Sequence, residues 1–179
     1  MRNYIKKIGL YWRTLRHLKA SQIFNRLSRK FFPSRSNLVT SALKSQFQPN
    51  VAWPPKKQSI LTGDEFSFLN KKMKLNLPDD WRNKSVPLLW TYNLHYFDGL
   101  LAVETDDYLK SNHINRWIKD NSSVSGVAWD PYPTSLRIVN WIKWSWVNNE
   151  HQDHFIRSLA TQLPHLSGSL EYHLLGNHL

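Results

Sequence analysis

The chain has 179 residues, 41% of them hydrophobic, enough for about one packed domain, and its lack of cysteine excludes both a disulfide framework and a thiolate metal site. Its formal net charge of +11 is unevenly spread: residues 1 to 63 carry 13 Lys or Arg and no carboxylate, whereas residues 64 to 179 carry 11 basic against 13 acidic residues. Charge of this kind suits nucleic acid, anionic lipid or an acidic polymer without choosing among them.

In chain order, Ile5, Ile8, Trp12 and Leu15 recur at helical spacing beside Lys6, Lys7, Arg13 and Arg16, which predicts a basic amphipathic helix. Ser21 is placed to cap a second helix carrying Ile23, Phe24, Leu27 and Phe31. The apolar face either packs on the rest of the protein or meets an anionic membrane surface or polyanion. Charge interrupts residues 1 to 27 too often for a secretion signal, and no stretch approaches the roughly 20 apolar residues of a membrane span. The expected location is therefore cytoplasmic or peripheral at an inner membrane.

From Phe32 to Pro87, six prolines break any long periodicity, leaving an irregular connector with one short helix near Asp64 to Lys72. Helical patterning begins at Leu88. In residues 88 to 97, aromatic side chains alternate with Asn93 and His95; these two and Tyr96 either belong to a core or face a substrate. Pro131 and Pro133 are expected to hold the chain extended, with Thr134 capping a helix to about Val147. On that helix Arg137, Asn140, Trp141 and Trp144 share one face. A guanidinium, an amide and two indoles suit an anionic sugar; the alternative is an arginine paired to Asp130 or Glu171, with the indoles as packing.

A further helix carries Phe155, Leu159, Leu163 and Leu166, with Pro164 bending or ending it, and Ser167-Gly168-Ser169 reads as a break. His151 and His154, with Asp153 between them, have no further clustered ligand at familiar spacing, so no metal is expected, and no cofactor is implied elsewhere. Gly176-Asn177 resembles the opening of a helix of which only His178 and Leu179 follow, so the sequence is expected to stop inside an element.

Three strings, Trp-Thr-Tyr-Asn-Leu-His-Tyr-Phe-Asp at 90 to 98, Asp-Pro-Tyr-Pro-Thr-Ser-Leu-Arg-Ile-Val-Asn-Trp at 130 to 141 and Glu-Tyr-His-Leu-Leu-Gly-Asn-His-Leu at 171 to 179, resemble the N-terminal domain of the heparinase II/III family of polysaccharide lyases. The resemblance implies an all-α fold, a partial α/α toroid preceded by a basic helical N-terminal arm. The division it suggests is residues 1 to 87 as arm and connector and 88 to 179 as the first toroid helices. It implies β-elimination next to a uronic acid, in which a donor neutralises the carboxylate while the C5 proton is removed. By motif match Asn177 would be that donor and His178 its neighbour, with Arg137, Asn140, Tyr132, His173 and Trp141 toward substrate. Family catalysis also uses a later tyrosine and a sheet domain, so the 179 residues alone are expected to be inactive. The family is usually periplasmic, which gives a second expectation for location. The implied partner is an acidic polysaccharide such as a glycosaminoglycan, alginate or exopolysaccharide. A noncatalytic acidic-glycan or envelope-associated module is the other function class, and nucleic acid, for which no recognition motif is present, is not expected.

Overall fold

The computed structural model describes residues 53–148 and 152–169. The expected arm helices, together with His151, His173, Asn177 and His178, lie outside the described residues. No helix among the described residues is long and apolar enough to cross a membrane.

Where a short helix is expected near Asp64 to Lys72, the chain forms an antiparallel hairpin of β1 (Glu65–Phe68) and β2 (Lys71–Lys74). Leu69 and Asn70 connect the strands, both at positive φ, as a two-residue loop of primed type requires. The alternation of strand β1 places Phe66 and Phe68 inward. The described residues are mostly helical with one small sheet, compatible with the all-α expectation.

Four helices follow: α1 (Leu88–Tyr96), α2 (Asp107–Asp120), α3 (Pro131–Asn148) and α4 (Asp153–Ser169), joined by short 3₁₀ turns at Asp98–Leu101 and Val127–Trp129. Helix α2 starts where the Asp106 carboxylate accepts from the Tyr108 and Leu109 amides. Helix α3 starts at Pro131, three residues before the expected cap. Both prolines fit in its first turn, where backbone N–H groups have no helical partner to lose. Thr134 is accordingly inside the helix and buried. Helix α4 passes through Pro164 and includes Ser167-Gly168-Ser169, the last described residues.

Residues on both sides of position 87 share one core. Trp81 stacks between His95 of α1 and His113 of α2, at 5.6 and 5.2 Å between ring centroids, and its indole donates to Asp120 Oδ2 at 2.9 Å. Phe66 of β1 lies 4.9 Å from the His113 ring. An ion pair between Arg116 and Asp64 ties α2 to the residue before the hairpin. The connector thus belongs to the fold as much as the helices do.

Phe97 turns the chain between α1 and the first 3₁₀ segment with φ 62°, left-handed for a bulky residue. Its ring packs against His113, Trp117 and Trp141, and that burial holds the unfavourable backbone in place. Two residues on, Gly99 sits so close to Ser59 and Ile60 that a β-carbon would overlap the Ser59 hydroxyl and press on Ile60 Cγ1 at 3.1 Å.

Candidate functional site

The residues singled out on α3 divide into a sealed set and an open set. Arg137 is 0% exposed. Its Nε donates to Gln162 Oε1 at 2.8 Å, Nη1 to the Ala128 carbonyl at 2.7 Å and Nη2 to Thr134 Oγ1 at 3.2 Å. The guanidinium carbon lies 3.9 Å above the Trp117 ring and 5.8 Å from that of Trp129. Burial pulls its pKa well below the ordinary value, while neutral acceptors and indole faces offset the loss of water. Neither expected setting for this arginine is found among the described residues: it does not face a cleft, and it has no Asp130 partner. Asp130 instead accepts from the Tyr92 hydroxyl at 2.8 Å.

Asn140 is buried too, its amide donating to the Tyr96 carbonyl at 2.8 Å and to Asp98 Oδ1 at 2.7 Å. Trp141 is enclosed by Phe97, Trp117 and Phe155. The stripe expected to meet a sugar is therefore an internal brace, because on a helix buried over most of its circumference a polar residue points inward to partners as readily as outward.

His95 is also internal. Trp117 Nε1 donates to its Nδ1 at 3.0 Å, which puts the ring proton on Nε2, donating to the Trp81 carbonyl at 3.1 Å. Burial, then the nearby Arg137 charge, lowers its pKa to about 3. His113, stacked among aromatic rings, is likewise lowered to about 3, by burial first and Arg116 second. Asn93 bonds back to the Leu89 carbonyl at 2.7 Å within its own helix.

What reaches the surface is a tyrosine face. Tyr132, 56% exposed, meets Tyr96 edge-on at 5.6 Å, and Tyr96 lies 6.5 Å from Tyr92. The Tyr92 pKa rises to about 12, through burial and then its bond to Asp130; that of Tyr96 rises to about 12 through burial and then Tyr132. The buried Tyr96 hydroxyl has no hydrogen-bond partner. Asp98, held by Asn140 and approached by Lys56 Nζ at 3.9 Å, borders the same group. All of these residues except Lys56 come from the strings at 90 to 98 and 130 to 141. Two segments more than 30 residues apart in sequence thus meet through Tyr92 with Asp130, Asn140 with Asp98 and Tyr96 with Tyr132.

A comparison with protein-family models, curated proteins and solved structures returns no match. Function therefore rests on the chemistry of the face. Tyr132 offers exposed ring surface backed by the buried Tyr96 ring; Asp130 and Asp98 supply acceptors, each already ordered by a donor from the other string. Chemically, such a group can accept hydrogen bonds from ligand hydroxyls beside an aromatic face. Among the described residues no group of three His, Cys, Asp or Glu is disposed to hold a metal ion. Sequence reasoning gave Tyr132 as a substrate contact ahead of the helix, whereas Tyr132 lies exposed in the first turn of α3; it named Asp130 only as a partner for Arg137 and did not single out Tyr92 or Asp98, whose pairing depends on how α1 and α3 pack.

Proposed function

We propose that the chain is part of a polysaccharide lyase of the heparinase II/III type, its helices belonging to an α/α toroid that binds uronate-containing acidic polysaccharide. The observation that carries this reading is the convergence of the first two motif strings on one aromatic, hydroxyl-bearing face. The face combines an exposed tyrosine with two carboxylates, each ordered by a donor from the other string. In this reading Tyr132 offers its ring to a sugar face, while Asp130 and Asp98 accept from sugar hydroxyls. Asn140 is a positioning residue that ties α3 to the end of α1, while Arg137 ties α3 to α4 and to the turn before α3, and His95 ties α1 to α2. The chemistry itself falls to Asn177, neutralising the uronate carboxylate, and His178, assisting the proton transfer; both belong to the third string.

Binding of a glucuronate- or guluronate-containing oligosaccharide tests the face. Tyr132→Ala is expected to weaken it several-fold with the melting temperature unchanged. In a chain extended to carry the later tyrosine and sheet domain that the resemblance implies, formation of unsaturated uronate is followed by its ultraviolet absorbance. Loss of that product in Asn177→Ala supports the assignment, and equal rates remove Asn177 from the mechanism. Binding with no elimination in any form of the protein favours the noncatalytic glycan-binding module instead.

A further inference from the structure

A second cleft, of about 620 Å³, lies between the start of α2, the Asp98–Leu101 segment and the C-terminal half of α3. It shares none of its lining residues with the tyrosine face, although the same 3₁₀ segment borders both, giving Asp98 to one and Leu100 and Leu101 to the other.

Two of its buried polar groups lack a partner. Thr105 is 3% exposed and Trp144 4%, both line the cleft, and neither Thr105 Oγ1 nor Trp144 Nε1 has a hydrogen-bond partner. A buried hydroxyl or indole N–H left unpaired costs roughly 1–3 kcal/mol, so a ligand that supplies a partner recovers that loss. Beside them Lys110 Nζ donates to Asp107 Oδ1 at 2.9 Å; the lysine side chain is 9% exposed and the aspartate 71%. Because the pair is matched in charge, an incoming carboxylate would have to displace Asp107, whereas an uncharged group need not. A donor next to an acceptor suits two adjacent hydroxyls, one accepting from Lys110 and one donating to Asp107.

One wall of the cleft is aromatic. Trp53 is held on α3 by stacking with Trp146 at 6.4 Å between centroids and 18° between planes, and by Lys143 Nζ 4.5 Å from its ring centre. The main chain nearby is fixed by the Lys56 amide donating to the Leu101 carbonyl at 3.2 Å. Exposed Val147 stands at the rim.

We propose that this cleft is a binding site for an uncharged pyranose unit, its ring against Trp53 and its vicinal hydroxyls on Lys110, Asp107, Thr105 and Trp144. The site stands independently of the uronate reading, since it uses other residues and another class of sugar.

The test is a titration of the full chain with cellobiose, following the indole N–H resonances of Trp53 and Trp144. Saturable shifts of both are expected, and their absence overturns the proposal. Thr105→Val and Lys110→Met are each expected to weaken binding about tenfold, equivalent to ~1.4 kcal/mol. Val147→Trp changes only an exposed rim residue, leaves the core intact, and is expected to abolish binding by filling the cleft; unchanged affinity in all three variants overturns the assignment. Sorbitol, with hydroxyls but no ring, is expected to bind far more weakly, and equal affinity overturns the role of the ring. Glucuronate binding tighter than glucose overturns the uncharged class. Tyr132→Ala is expected to leave cellobiose binding unchanged, which keeps failure of this site distinct from failure of the tyrosine face.

Discussion

The interior around Trp117 and the surface around Tyr132 use the same residue types to opposite ends. Inside, an arginine, two histidines, an asparagine and several indoles are closed over, and the hydrogen bonds of Arg137, His95 and Asn140 end on other parts of the chain. Nearer the surface, tyrosines and carboxylates from the same two strings are only partly covered: Tyr92 has Asp130, Asp98 has Asn140, and Tyr132 is 56% exposed. The difference teaches that polarity in an aromatic-rich motif does not by itself mark a binding residue, because the same residue types brace the interior.

The sharpest way to break that contrast is to open the interior. Arg137→Met removes three donors at once and leaves Gln162, the Ala128 carbonyl and Thr134 without their partner. A loss of about 3–5 kcal/mol in urea unfolding is expected, as for removal of one side of a buried polar network. Arg137→Lys is not expected to rescue it, because an ammonium cannot span three acceptors in a plane and stack on Trp117. A loss below ~1 kcal/mol would mean the brace is dispensable.

Acid probes the same interior without a mutation. His95 and His113 have folded pKa values near 3, far below the ordinary 6.5 of an unfolded imidazole. The unfolded chain binds more protons over that interval, so the stabilisation is complete above about pH 6.5 and is lost as pH falls toward 3. Unfolding measured across this window should show uptake approaching two protons, and His113→Phe should reduce it by one. A pH-independent midpoint would contradict the burial of both rings.

Gly99→Ala tests the joint between the two regions. The added methyl meets Ser59 and Ile60, and a cost of about 1–3 kcal/mol is expected in thermal unfolding. The smallest effect on stability belongs to the open region. Tyr132→Ala should change it by less than ~0.5 kcal/mol while weakening sugar binding, a separation that no interior variant can give.

Much of the helical organisation was legible in the sequence because it rests on local spacing. The apolar repeat of α4 gives Phe155 and Leu159 as buried, and the density of apolar residues in α3 gives a helix buried on several sides. The β1–β2 hairpin was not legible, since Phe66 and Phe68 make only two inward positions and the turn is Leu69-Asn70, which carries no glycine. The fate of Arg137 was not legible either. Its partners Gln162 and Ala128 stand 25 and 9 positions away, and a neutral amide gives no charge signal by which to find it. The tyrosine face was half visible: Tyr132 stands out beside two prolines, whereas the pairing of Tyr92 with Asp130 spans 38 positions and exists only once α1 and α3 are packed.

Gln162 of α4 reaches across to Arg137, and Phe155 of the same helix lies parallel to Trp141 at 5.4 Å. Any protease cut or design that separates α4 from α3 therefore uncovers a guanidinium and an indole together. The smallest piece of this chain worth expressing for binding or crystallisation thus has its boundary set beyond α4, and a shorter piece is expected to aggregate through the exposed Trp141 face.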